Sequence, residues 1–358
     1  MKVYLPMFTA LAFAASTTAI LPQAREAAKL LYARDDPAQL ADYAVDKVLS
    51  APVAAREIGQ ALAKNDAELA ASFLDLARER GITIDPALAA RVETANSSTM
   101  QAKHAVLRFT EGFVTGAPDD LAGLAGTATG DLFVFGDVRD AVREGIHLAR
   151  GEQADELILG LACAGIAITA GTYATIGVGA PARVGLSLVK AARKTGRLAG
   201  PLAEWITRSL REAVDTQALS GALAKVSVTA PAVAVRAARD AVKVDRTEGV
   251  IAMVRDVGRV EAGGGTRAAL EALKIAEKPE DMARLARLAE AKGNKTRAIL
   301  KLAGRGAILL AATSMSLASW VFAALCGLFG FCAAFKRTVE RATRSYLAWC
   351  KNKAPAVA

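Results

Sequence analysis

The sequence predicts an all-α fold: a helical membrane protein with an acidic exported helical domain and a basic cytoplasmic helical domain. Three observations carry that expectation. Hydrophobic residues make up 53% of the 358-residue chain but aromatic residues only 5%, so the apolar content is chiefly helix-forming Ala, Leu and Val, which argues against a disordered chain or an all-β barrel. The mean hydropathy of +0.27 is high for a soluble protein, and much of it sits in three uncharged runs. Charge is divided along the chain: before Leu157 there are 15 Lys and Arg against 22 Asp and Glu, net −7, and from Leu157 onward 30 against 14, net +16. Such an asymmetry speaks about location and partners.

The first run, Val3–Leu21, has 19 residues without a charge, preceded by Lys2 and ended by Pro22. A cationic start, an apolar stretch and small residues at Ala12 and Ala14 fit a signal peptide over residues 1–21, and the same length fits a membrane anchor that stays in place. Either would export the polypeptide beyond it, so residues 22–156 are assigned to an acidic exported, periplasmic helical domain. Within it, Asp36-Pro37 and Asp85-Pro86 place a capping acceptor before a proline at the first helical position. Leu69, Phe73 and Leu76 recur on one helical face. Gly112–Gly136 reads as a loop, after which Asp137 is expected to cap a helix to about Arg150.

The second run, Leu157–Ala182, has 26 residues without a charge and is too uniformly apolar for an amphipathic surface helix. It is assigned to a transmembrane helix, residues 157–182. Gly160, Ala164, Ala167, Gly171 and Ala174 recur at intervals of 4, 3, 4 and 3, a stripe of small residues suited to helix–helix packing in lipid. It offers a contact for a second copy or another membrane protein. Acidic residues precede this run, and Arg183, Lys190, Arg193, Lys194 and Arg197 come after it, which orients residues 183–306 as a basic cytoplasmic domain.

The third run, Ala307–Phe335, is long enough for one tilted span and too short for two, and Gly327 and Gly330 would also allow a re-entrant segment. Trp320 suits the headgroup level. Basic residues flank both ends of this run, a conflict for the orientation. The tail, residues 336–358, reads as a basic amphipathic helix in which Lys336 and Arg337 with Tyr346 and Trp349 suit an anionic lipid surface.

The segments Thr266-Arg267-Ala268-Ala269-Leu270 and Thr296-Arg297-Ala298-Ile299-Leu300 share TRAxL at a spacing of 30. Each comes after a polar or Gly-rich turn, so shared helix-start chemistry explains the likeness.

Little in the chain points to catalysis. Gly177-Val-Gly179-Ala-Pro-Ala182 matches G-x-G-x-x-A, but it succeeds an apolar helical run rather than a strand, where a dinucleotide loop would need to be. Two histidines and four scattered cysteines provide no metal-ligand spacing. We therefore expect no catalytic residue, no cofactor and no metal. Residues 183–306 contain one aromatic residue, Trp205, and no reader motif, so their positive charge points to the membrane rather than to nucleic acid. The expectation is an inner-membrane protein of bacterial type, with the bilayer as partner and a structural, scaffold or protein-interaction role. The alternatives are a membrane-active toxin or lysis protein that permeabilises a bilayer, and a soluble helical protein.

Overall fold

The computed structural model describes residues 4–97, 130–172, 180–215, 240–243, 246–309 and 314–353, and every named element among them is a helix. The chain divides into two compact units. One combines its two ends, Met1–Asp36 and Leu310–Ala358; the other is the intervening body, Pro37–Leu309.

The terminal unit pairs α1 (Tyr4–Tyr32) with α14 (Ser314–Lys353). Gly327 of α14 packs at Thr17 and Gly330 at Phe13; numbering falls along one helix as it rises along the other, so the pair is an antiparallel hairpin. The first apolar run does not end its helix at Pro22. The proline lies inside α1, which continues to Tyr32 at the cost of a backbone hydrogen bond.

The body contains twelve α-helices among its described residues. These are α2 (Pro37–Val48), α3 (Ala51–Ala63), α4 (Ala67–Glu79), α5 (Pro86–Ala95), α6 (Gly130–Ala149), α7 (Glu156–Thr172), α8 (Ala180–Lys194) and α9 (Gly200–Ala213), then α10 (Glu248–Gly264), α11 (Thr266–Ile275), α12 (Pro279–Lys292) and α13 (Thr296–Leu309). Two begin as the sequence reads, α2 at Pro37 after Asp36 and α5 at Pro86 after Asp85. Asp66 accepts a hydrogen bond from the Leu69 amide at 3.1 Å and Asp85 from the Ala87 amide at 3.1 Å, satisfying amides that the first helical turn leaves unpaired. Leu69, Phe73 and Leu76 are buried, as their spacing requires. The two TRAxL segments open α11 and α13. Gly265 and Gly293 stand in the turns before them with φ of 86° and 56°, a backbone region open to glycine at little cost.

One hydrophobic core runs through both charge halves. Val45, Ile58, Phe73 and Leu76 from the N-terminal helices share it with Met253, Leu273, Met282 and Ile299 from the C-terminal ones. Helix α2 packs on α12 and α13, and α4 on α13. Residues from both 22–156 and 183–306 thus contribute to one core, so the charge division along the chain is not a division of the fold.

The described start of the second apolar run is enclosed by protein. Leu157, Ile158, Leu159, Leu161, Ala162 and Ile166 of α7 are at most 2% exposed, covered by protein from α6, α8 and α9. A helix that is apolar all round reads the same whether lipid or protein surrounds it. Asp137 does not cap α6 but lies inside it, seven residues after its start at Gly130. Asp155 caps α7 instead, accepting from the Leu157 and Ile158 amides at 3.1 Å each. An antiparallel bridge between Val214 and Val242 joins the two ends of a stretch that includes Thr216–Val235, which lies outside the described residues, as does most of Gly112–Gly136.

Candidate membrane-interaction site

The hairpin is built from residues that give close backbone approach on one side and bulk on the other. A Cβ placed on Gly327 would come 2.7 Å from Thr17 Oγ1, and one on Gly330 2.7 Å from Phe13 Cε1. Both are closer than a Cβ normally sits to a neighbour, so a side chain at either position would require Thr17 or Phe13 to move aside. Thr17 and Thr18 donate their hydroxyls to the Phe13 and Ala14 carbonyls at 2.7 and 3.0 Å, which leaves no hydroxyl seeking water. Away from this seam Phe8, Leu11, Phe322, Leu325, Leu328 and Phe329 are exposed, Phe329 by 78%.

Helix α14 has 40 residues, about 60 Å at 1.5 Å per residue, and is the one helix among the described residues long and apolar enough to cross a membrane. Trp320 is exposed on its apolar part. Lys336, Arg337, Tyr346 and Trp349 are exposed beyond it, with the Tyr346 and Trp349 rings 6.2 Å apart. The structure thus sets the two groups of proposed interface residues on a single helix.

The small-residue stripe lies elsewhere. Gly160 of α7 faces Leu210 of α9, where a Cβ would come within 2.9 Å of the leucine side chain. Ala164 is buried in the body's core. Ala167 and Gly171 come later on the same helix, and Ala174 lies outside the described residues.

Tighter glycine contacts occur at positions that no sequence pattern marks. A Cβ on Gly185 of α8 would clash with the Val254 carbonyl of α10, and one on Gly258 of α10 with the Pro181 carbonyl of α8. Gly263 and Gly264 continue the packing face of α10 onto α12 and α13. Helices α8 and α10 therefore cross backbone to backbone. The Gly185 and Gly258 positions gave no signal because each stands alone in an ordinary amphipathic pattern.

Two ionic clusters tie the body together. In the first, Lys190 of α8, 7% exposed, holds Asp137 at 2.5 Å and Asp140 at 3.3 Å, and Lys194 also reaches Asp140 at 3.3 Å. Burial pushes the Asp137 carboxyl up, against the pull of Lys190. Burial acts in the same direction on Asp140, but Lys190 and Lys194 outweigh it and hold that carboxyl below its usual value. In the second cluster the arginines of both TRAxL segments converge on the carboxylate that caps α4: Arg267 donates to Asp66 at 2.7 Å, and Arg297 at 2.9 and 2.8 Å. Arg297 also donates to Glu271 at 2.7 Å. Burial opposes ionisation of Asp66, yet Arg297 and Arg267 bring its pKa down to about 2. The spacing of 30 was the sequence's trace of this clasp.

A cleft of about 450 Å³ lies between α8 and α9, lined by Arg193, Gly200, Glu204, Thr207, Arg208 and Arg211. Arg193 and Arg211 are paired with Asp155 and Glu156, so the charges around it nearly cancel. Among the described residues no group of His, Cys, Asp and Glu is arranged to hold a metal ion. Comparison with protein-family models, with curated proteins and with solved structures finds no match.

Proposed function

We propose that this chain is a membrane-anchored scaffold protein: α1 and α14 enter a bilayer together as an antiparallel hairpin, and the α2–α13 body presents a helical surface to other proteins, with no catalysis of its own. The observation that carries this reading is the glycine seam of the hairpin. Gly327 and Gly330 bring α14 onto Thr17 and Phe13, while the aromatic and leucine side chains of the same helices face outward. Close contact through small residues with large apolar groups outside is the arrangement lipid favours, because association there rests on van der Waals packing. On this reading the first apolar run is a retained anchor, since its removal would strip α14 of its partner.

The hairpin also gives an orientation. The end of α1 and the start of α14 lie at the same end of an antiparallel pair, so both connections to the body leave from one side of the bilayer. Basic residues stand at both ends, Arg25, Lys29, Lys301 and Arg305 on the body side and Lys336, Arg337, Arg341 and Arg344 on the other, so the side is taken from the cationic start and apolar stretch of the first run, which would export the polypeptide beyond it. The whole body is then on the exported face of a bacterial-type inner membrane. Reporter fusions after Asp131, Lys225 and Lys353 test this: the first two should report the exported side and the third the cytoplasm. Opposite sides for Asp131 and Lys225 would overturn it. Release of the full chain by alkaline carbonate would remove the anchor altogether, and dye release from vesicles would replace the scaffold with the permeabilising alternative.

A further inference from the structure

The register of the hairpin limits how much of it lipid can cover. Ser314–Phe335 of α14 carries no charge over 22 residues, about 33 Å at 1.5 Å per residue, and by itself would cross a hydrocarbon core of about 30 Å. Its partner is not apolar over the same length. With Gly327 at Thr17 and Gly330 at Phe13, Trp320 falls opposite about Ala24, so Arg25, Glu26 and Lys29 of α1 run alongside the first turns of α14. All three are exposed, and α1 is continuous helix through them. At the other end Lys336 falls opposite about Phe8. Only over Trp320–Phe335, 16 residues, are both helices of the pair free of charge, a band of about 24 Å.

We propose that the hairpin fits a thin bilayer, with a hydrocarbon core of about 24 Å: the boundary on the body side passes through Trp320 and Gln23, where Arg25 and Lys29 meet headgroup phosphates, and the far boundary lies at Lys336 and Arg337. The inference rests on the membrane-anchored reading and adds which lipid that anchor takes. Arg25, Glu26 and Lys29 make the choice. A bilayer thick enough to cover Ser314–Phe335 would draw all three into hydrocarbon, which charged side chains resist. One that ends at Trp320 leaves them among the headgroups, where the long stems of Arg and Lys reach phosphate, and sets the Trp320 ring at the level aromatic residues favour. The exposed side chains of Leu11, Phe322, Leu325, Leu328 and Phe329 all fall inside the same band. The competing occupant is a bilayer of ordinary thickness matched to the uncharged stretch of α14 alone, which would put Trp320 about 9 Å beneath the hydrocarbon surface.

The test uses the full-length chain as a W205F/W349F variant, which leaves Trp320 as the sole tryptophan. It is reconstituted in phosphatidylcholine vesicles with acyl chains of about 14 carbons that also hold lipid brominated at a shallow or at a deep chain position. The expected result is strongest quenching of Trp320 by the shallow bromine. R25L/E26Q/K29L, added to that variant, should shift the strongest quenching to the deep position. The unmodified chain provides a second readout: offered vesicles of about 14-carbon and about 22-carbon chains together, it should distribute in favour of the short chains about tenfold, and R25L/E26Q/K29L should abolish that preference. Strongest quenching of Trp320 by the deep bromine, or equal distribution of the unmodified chain between the two vesicles, would overturn the proposal. A chain retained on carbonate extraction whose Trp320 lies deep sinks the boundary alone. One released by carbonate sinks the anchored reading itself.

Discussion

Arg297 and Asp66, 231 residues apart, meet in a two-pronged ion pair with N–O distances of 2.9 and 2.8 Å. The arginine side chain is 3% exposed and the carboxylate 21%, and the same carboxylate caps α4 through the Leu69 amide. One side chain therefore fixes a helix start and joins the first helices of the body to its last.

Asp66→Asn should destabilise the body by about 3 kcal/mol, because it leaves a buried guanidinium without its main partner. The loss should depend on pH. Asp66 titrates at about 2 in the fold against 3.8 unpaired, so the unfolded chain takes up the proton first as pH falls. The stabilisation, on the order of 2 kcal/mol, is complete above the unpaired value and vanishes as pH falls toward 2. Denaturant unfolding of wild type and variant at pH 7 and near pH 2 should show the two curves converging in acid.

Lys190→Met should cost about 3 to 5 kcal/mol at neutral pH by leaving Asp137 buried without its cation, while Asp140 keeps Lys194. Burial already pushes the Asp137 carboxyl upward, and removing the lysine strengthens that push. The folded variant then binds protons more tightly than the unfolded chain, so its deficit shrinks as pH is lowered into the carboxylate range. A deficit that does not change with pH would contradict the cluster.

Gly258→Val should cost about 3 kcal/mol or prevent folding, since even a Cβ there clashes with the Pro181 carbonyl and overpacked sites of this kind lose about 1 to 3 kcal/mol with side chains alone. Gly59→Ala in α3 is the contrasting case. Nothing lies within 4 Å of its Cβ position, so the gain in helix propensity should stabilise by about 0.5 to 1 kcal/mol. Thermal melts of the two variants should move in opposite directions.

Thr17→Cys with Gly327→Cys, in a chain whose native cysteines are Ser, should cross-link within one molecule on mild oxidation in membranes. Thr17→Cys with a cysteine at Phe335 should not, because the antiparallel register sets that position near the start of α1. Cross-linking of neither pair, or of both equally, would remove the register on which the hairpin rests.

The helix starts after Asp36 and Asp85 were legible because the signal is local, an acidic residue directly before a proline; Thr266 and Thr296 do open helices but cap neither, since Gly265 stands at the cap before Thr266 and the Thr296 hydroxyl donates to the Gly293 carbonyl. The three apolar runs were equally plain. The partner that covers each run was not. The hydropathy of Leu157–Ala182 is the same against lipid or against α6, α8 and α9, and only the neighbours decide. The first and third runs begin about 300 residues apart, and nothing in either spells out the other; their match is a matter of Gly327 and Gly330 finding Thr17 and Phe13. The Asp137–Lys190 contact was hidden for the same reason, since a lone Asp near a Gly-rich stretch looks like a cap. The Asp66 clasp was half visible: the repeated TRAxL gave two arginines at equivalent helix positions, but not the carboxylate they share.

The pairing of α1 with α14 also imposes an order in time. A ribosome makes α1 before the body and α14 after it, so the anchor's partner is absent until the entire body has been synthesised. Until then Phe13 and Thr17 lack the Gly327 and Gly330 positions they pack against, and a chain that stops short of Gly327 has no second helix to complete the pair.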